Sequence, residues 1–176
     1  KIPQKTRGKV AVIGSGPAGL TVAGDLAREG FNVMIFEGEQ EAGGVLMYGI
    51  PEYRLPKDVV RKEVKKIEAL GVTFITQCMV GQAITVDDMF EQGFDAVFIG
   101  SGTALPKSLD TPGYTLRGVT QSSYFLRMAS LCNTGSIGRE EVPVKQGDIV
   151  GVIGGGNVAM DAARTALRMG AGKVYV

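Results

Sequence analysis

Two stretches of this chain share one design, and the first of them narrows what the rest can fold into. Val10-Ala11-Val12-Ile13 is an unbroken apolar run, which reads as a parallel strand buried on both faces. Gly14, Gly16 and Gly19 follow at once in G-x-G-x-x-G spacing, between that strand and a stretch of helical period. Gly14 permits the tight turn, Gly16 lets a pyrophosphate reach the backbone, and Gly19 lets helix and strand pack closely. Pro17 suits the first helical turn, where its missing N–H is no loss. The free N–H groups of that turn, with the helix dipole, make an anion site. A second strand, Asn32–Phe36, ends at Glu37, twenty-one residues beyond Gly16, where a carboxylate can accept hydrogen bonds from a ribose. The glycine spacing alone is a weak signal. Strand, turn, helix, strand and terminal acid together read as a dinucleotide-binding β–α–β unit.

The design recurs about 140 residues later. An apolar run, Ile149–Ile153, meets Gly154, Gly156 and Ala159 in G-x-G-x-x-A spacing, a helix is expected to Arg168, and Lys173–Val176 begins another strand. Two such units imply an α/β chain with two dinucleotide sites. Alanine in place of the third glycine leans toward NADP.

Between the two units the pattern is less regular. In the first helix, Ala18, Val22 and Leu26, with Ala23 and Ala27 beside them, are expected to lie on the sheet, and Gly30 to end the helix. Residues 38–57 are punctuated by Gly and Pro without a period, and loops of that length in a compact domain tend to be functional. Gly43-Gly44 there fits a backbone close to a ligand. Arg54 reads equally as a phosphate or carboxylate clamp or as the cap of a surface loop. Residues 57–70 have the period of a helix with Val60, Val64 and Ile67 inward and a solvated basic face of Arg61, Lys62, Lys65 and Lys66. A strand at Val72–Ile75, a turn at Val80-Gly81, a Thr85/Asp88 helix cap and a buried strand within Asp95–Gly102 follow. Ser122 or Ser123 is expected to cap a helix through Ala129, and Cys132–Gln146 to be a polar connector.

Composition closes off several chemistries. The formal net charge of +1 gives no reason to expect nucleic acid or an anionic membrane as partner. No apolar run reaches the ~18 residues of a membrane helix, and no signal-peptide pattern opens the chain. Cys78 and Cys132 are far apart and read as free thiols in a reducing cytoplasm. Histidine is absent, which removes the commonest general base and any His-ligated metal site. No catalytic side chain and no metal ligand is therefore assigned, and the chemistry falls to a cofactor.

Gly43-Gly44-Val45-Leu46-Met47-Tyr48-Gly49-Ile50-Pro51-Glu52-Tyr53-Arg54-Leu55-Pro56-Lys57 resembles the flavin-domain signature of the glutamate synthase small-subunit family. That family includes the beta subunit of NADPH-glutamate synthase, the large subunit of NADH-dependent ferredoxin:NADP oxidoreductase and the flavin segment of dihydropyrimidine dehydrogenase. Asp95–Gly102 and Gly155–Arg164 resemble further signatures of the same family, so the likeness covers nearly the whole chain. It implies a Rossmann-like FAD-binding domain over residues 1–118, a connector over 119–146, and the start of a Rossmann-like NAD(P)H-binding domain over 147–176. It implies FAD contacts from Gly14, Ser15, Gly16, Pro17, Ala18, Glu37, Gly44, Val45 and Arg54, and an adenine contact from the backbone at Val80. Gly155, Gly156, Asn157 and Val158 would contact the pyrophosphate of NADPH, with NADH as the alternative. The implied activity passes hydride from NADPH to FAD and electrons onward to an iron–sulfur cluster or a larger partner subunit.

The family's cysteine-rich iron–sulfur segment and its return strand to the flavin are not in this sequence. The chain is accordingly expected to be an internal piece, inactive alone. The Gly43-Gly44 loop and the stretch before Gly154 carry no cysteine pair, which argues against dithiol chemistry. The competing readings are a non-catalytic dinucleotide-binding module and an inactive piece that holds no cofactor.

Overall fold

The computed structural model describes residues 4–103 and 105–176. The chain divides into two compact units, the first running through Met47 and resuming at Leu55–Gly102, the second made of Tyr48–Arg54 and Thr103–Val176.

The first unit is a four-stranded parallel sheet in the order β3-β2-β1-β4, built from β1 (Lys9–Ile13), β2 (Asn32–Phe36), β3 (Thr73–Ile75) and β4 (Ala96–Ile99). The apolar run pairs Val10 with Val33 and Val12 with Ile35 on one side, and Val12 with Phe98 on the other. Helix α1 (Pro17–Arg28) crosses from β1 to β2, α2 (Val45–Tyr48) is a single turn in the following loop, and α3 (Lys57–Glu68) leads to β3. Helix α4 (Val86–Glu91) precedes β4 and opens on the expected capping box, with the Thr85 hydroxyl accepting from the Asp88 N–H and the Asp88 carboxylate from the Thr85 N–H. The capping hydroxyl also holds the Asp88 carboxyl below its ordinary value. One sheet face packs Val12, Val33 and Ile35 against Leu20, Ala23 and Ala27 of α1 and Ile67 of α3. The other packs Ala11 and Phe36 against Met89 and Phe94, the two phenylalanine rings meeting edge to face at 5.8 Å.

Two expectations change here. Helix α1 is turned somewhat from the expected face: Leu20, Ala23 and Ala27 pack on the sheet, Val22 and Leu26 pack partly buried against the same core, Gly24 faces Ile67 of α3, and Ala18 is exposed. The reason is the close approach at Gly19, where a Cβ would overlap the Gly14 carbonyl oxygen and lie 3.3 Å from Val12 Cγ1. That contact turns the row of small residues inward. Strand β4 is not buried. Among the described residues it pairs only with β1, and Ile99 is 66% exposed. Its apolar run has the composition of a central strand in an edge position.

The sheet order carries a functional consequence. The chain moves from β1 outward through β2 and β3, then returns to place β4 on the other side of β1. Ligands of open α/β sheets bind beyond the carboxyl ends of the strands at such a reversal, and here that place is occupied by the Gly14–Gly19 turn.

In the second unit, α5 (Ser122–Asn133) and α6 (Asn157–Arg168) pack together beside a parallel pair, β5 (Ile149–Gly151) and β6 (Lys173–Tyr175). Its core is Phe125, Ala129, Val142, Val144, Ala162, Ala166, Met169 and Ala171. Neither serine caps α5. Gln121 is the N-cap residue without a side-chain bond to the helix, and its amide instead donates to the Tyr114 hydroxyl at 3.0 Å. The polar stretch 132–146 supplies two core residues, Val142 and Val144, and Arg139 donates to the carbonyls of Val144 and Met169. Two valines flanking a proline in a polar run show no period, so the sequence does not announce that packing. Among the described residues no helix is long and apolar enough to cross a membrane.

Candidate functional site

The first unit organises its site around one carboxylate. Gly14 (φ +90°) turns the chain out of β1, and its missing Cβ leaves room for the Gly100 carbonyl, which a Cβ would approach to 2.5 Å. Ser15, fully buried, then faces the end of β2. Its N–H donates to Glu37 Oε2 at 2.8 Å and its hydroxyl donates to the same oxygen. The hydroxyl also accepts from the Gly43 N–H at 2.9 Å, and Glu37 Oε1 accepts from the Glu39 N–H at 2.9 Å. Glu37, itself buried, thus ties the glycine turn, the end of β2 and the Gly43-Gly44 loop together. A carboxylate offers about four acceptor positions, of which three are filled, leaving one on Oε1.

The loop is held just as firmly against the turn. Gly44 (φ +52°) crosses Gly16 so closely that a Cβ would lie 2.9 Å from Gly16 Cα. Behind it, Arg61 of α3 grips Glu41 with Nε–Oε2 at 2.8 Å and Nη2–Oε1 at 3.1 Å, and also reaches Asp58. These bonds hold the Glu41 carboxyl below its ordinary value and the Arg61 guanidinium above its own. Lys57, buried at the start of α3, donates to the Leu46 carbonyl at 2.8 Å. On its outer side the site is open. A Cβ at Gly16 meets nothing within 4 Å, and Gly16 is the N-cap of α1 with no side-chain cap, so the first amides of that helix have no intrahelical acceptor.

The remaining residues expected here line the same end of the sheet. Pro17 and Ala18 are exposed on the first turn of α1, and Val45, 56% exposed, follows Gly44 at the start of α2. Val80 sits in a tight turn after β3, bridged to Ile84 through the Gly81 N–H. That turn is joined to β2 by the Cys78 N–H, which donates to the Glu37 carbonyl at 2.8 Å.

The second unit repeats the open turn. Gly154 (φ +131°) leaves β5 against Ala159, and Gly155 and Gly156 have open space where a Cβ would be. Gly156 is the N-cap of α6, again with no side-chain cap, and Asn157 and Val158 are exposed on the first turn. Arg54 lies in this unit. Its Nη1 contacts both oxygens of Asp161 on α6, at 3.2 and 3.1 Å, and the Tyr53 hydroxyl lies 3.4 Å from Asp161 Oδ1. Arg168 stacks over the Tyr53 ring at 3.9 Å.

The structure therefore brings Gly14, Ser15, Gly16, Glu37 and Gly44 into one hydrogen-bonded cluster, and places Gly155, Gly156, Asn157 and Val158 on a second, separate turn. Asp161, Tyr53 and Arg168 are not singled out by the sequence. The available signal was Asp161, an acid among the alanines of α6 on its buried side.

Residues 8–176 match the family model described as pyridine nucleotide-disulphide oxidoreductase. The chain belongs to that family. Its two cysteines, Cys78 and Cys132, are both free, so no redox-active disulfide is present in this stretch of a family named for one. Among relatives, it is 43% identical over 170 residues to the NADP(+)-dependent formate dehydrogenase subunit beta of Moorella thermoacetica, covering 96% of this chain and 23% of that protein. It is 38% identical to the glutamate synthase [NADPH] small chain of Bacillus subtilis, covering 99% of this chain and 36% of that protein. The resemblance to the glutamate synthase small-subunit family is thereby borne out. Among solved structures, FprA of Mycobacterium tuberculosis in complex with NADPH superposes with a TM-score of 0.76 at 26% identity, over 90% of this chain and 36% of that one. The chain thus spans well under half the length of these relatives.

Proposed function

We propose that this protein is an FAD-dependent oxidoreductase that takes hydride from NADPH, with NADH as the alternative donor, and passes electrons on to an iron–sulfur cluster or a larger partner subunit, as in a glutamate synthase small subunit. The observation that carries the reading is the pair of uncapped, open glycine turns, each at a helix start beyond a parallel strand, with a buried acid at the end of β2 beside the first. The first turn fits FAD. The space at Gly16 admits a pyrophosphate, the α1 amides offer it donors, and the remaining acceptor position of Glu37 suits a ribose hydroxyl. Gly44 and Val45 present backbone and an apolar side chain beside Gly16, and the Val80 turn offers backbone near the end of β2 for the adenine. Gly155, Gly156, Asn157 and Val158 would receive the NADPH pyrophosphate in the same way.

FAD, when bound, supplies the hydride acceptor and the means of releasing electrons one at a time. The chain's own part is binding and orientation. Ser15 and Glu37 hold the turn rigid, and the Arg61–Glu41 fork holds the Gly43-Gly44 loop against it, so the backbone donors stand in place before the ligand arrives. No side chain is assigned a proton-transfer role.

The test is spectroscopic. In a full-length context the protein is expected to show a flavin absorbance band after gel filtration, and anaerobic NADPH is expected to bleach it. A protein that takes up no FAD would refute the first site. A flavin that NADPH leaves oxidised would refute hydride transfer and support a non-catalytic dinucleotide-binding module.

A further inference from the structure

Helix α6 carries an acid where its neighbours are alanine. Asp161 lies one turn into the helix with its side chain 8% exposed, beside buried Ala159, Ala162 and Ala163. A buried carboxylate is costly unless it is paired and hydrogen-bonded. Here the pairing comes from the short segment Tyr48–Arg54, which belongs to the same unit as α6. Arg54 Nη1 contacts both carboxylate oxygens, and the Tyr53 hydroxyl lies 3.4 Å from both Asp161 Oδ1 and the Asp161 carbonyl. Arg168, seven residues further along α6, covers the Tyr53 ring. The segment is gripped at two points along one side of the helix.

The charge geometry gives this grip a purpose. Asp161 is four residues from Asn157, the first residue of α6, which is about 6 Å along the helix axis. The uncapped amides there would receive an anionic ligand. An uncompensated carboxylate so close opposes that ligand, and a guanidinium on both of its oxygens cancels most of the opposition. Asp161 engages only Nη1, and neither Nε nor Nη2 of Arg54 makes a further hydrogen bond among the described residues.

We propose that Arg54 is a positioning residue for the nicotinamide-nucleotide turn: by neutralising Asp161 it keeps the start of α6 receptive to a pyrophosphate. The role rests on the reading that this turn binds NADPH, and it differs from a contact between Arg54 and FAD alone.

The experiment is a double-mutant cycle on the flavin-loaded protein, read as NADP+ dissociation constants by calorimetry, where no turnover occurs, with flavin content recorded for each variant. Arg54→Gln is expected to weaken NADP+ roughly tenfold, the effect of one unit charge at this range in a medium of intermediate dielectric. Adding Asp161→Asn to that variant is expected to restore affinity to within about twofold of wild type. Asp161→Asn alone removes the buried charge, folds without needing Arg54, and is expected to bind NADP+ at least as tightly as wild type. Weaker binding by Asp161→Asn alone, or no recovery in the double variant, overturns the proposal. So does an Arg54→Gln variant that loses flavin while its NADP+ affinity is unchanged, which would place Arg54 on FAD alone. A wild type that binds no NADP+ refutes the functional reading itself and this role with it. Wild-type binding that Arg54→Gln leaves untouched removes only the role of Arg54.

Discussion

Replacing Glu37 by Gln separates what this residue does for the fold from what it does for a ligand. In the structure its two oxygens accept three donors: the Ser15 N–H, the Ser15 hydroxyl and the Glu39 N–H. An amide has one oxygen and an NH2 group in the same space. If the amide oxygen takes Ser15, the NH2 faces the Glu39 N–H; if it takes Glu39, the NH2 faces the Ser15 N–H. Either way a backbone donor in the cluster loses its acceptor, which costs about 1–3 kcal/mol, and the surviving bonds lose their charge assistance. The expected loss is about 2–4 kcal/mol in the flavin-free protein. With a urea dependence of about 1–3 kcal/mol per molar, the midpoint falls by roughly 1–2 M. Urea unfolding followed by circular dichroism, without FAD, measures this directly. An unchanged midpoint would show that Glu37 does not hold the turn in the absence of ligand, and the pre-formed site described above would be wrong.

The two glycines of the first turn should behave oppositely. Gly19→Ala puts a Cβ onto the Gly14 carbonyl, so despite a helix-propensity gain of about 1 kcal/mol the variant should lose about 1–3 kcal/mol, and a raised melting temperature would contradict the packing. Gly16→Ala meets no atom and should melt within about 0.5 kcal/mol of wild type yet retain much less flavin; equal retention would move the pyrophosphate elsewhere. For Arg61→Ala, the sign follows from the lowered Glu41 carboxyl. The pair stabilises above the unfolded carboxylate value and is lost as pH falls through the folded one. Both side chains are about 40% exposed, so the gap between wild type and variant should be under about 1 kcal/mol at pH 7 and shrink below about pH 4.5; a gap constant from pH 7 to 3 would exclude the ion pair as its source. Thr165 is buried and its hydroxyl has no partner among the described residues, so Thr165→Val should stabilise by about 1 kcal/mol, and a lower melting temperature would reveal a partner for that hydroxyl.

Both β–α–β units were legible in the sequence because their signals are local. An apolar run, three small residues at fixed spacing and a helical period lie within about thirty consecutive residues, and each follows from backbone geometry alone. The Thr85/Asp88 box was legible for the same reason, being closed by bonds that span three residues. The rotation of α1 was not. Ala18 fits the inward face by period with Val22 and Leu26, yet it is exposed, because the close contact of Gly19 with Gly14 sets which side of the helix meets the sheet.

Sequence by itself thus determined that two glycine turns follow two parallel strands and that an acid ends the second strand. Tertiary structure decided what those groups hold. Glu37 is bound by Ser15, twenty-two residues away, and Arg54 by Asp161, 107 residues away. β4 has the composition of a central strand and, among the described residues, pairs only with β1. Partners so distant leave no periodic trace in the chain, because what joins them is the path of the backbone through the sheet order and the helix packing, which no short stretch of residues encodes.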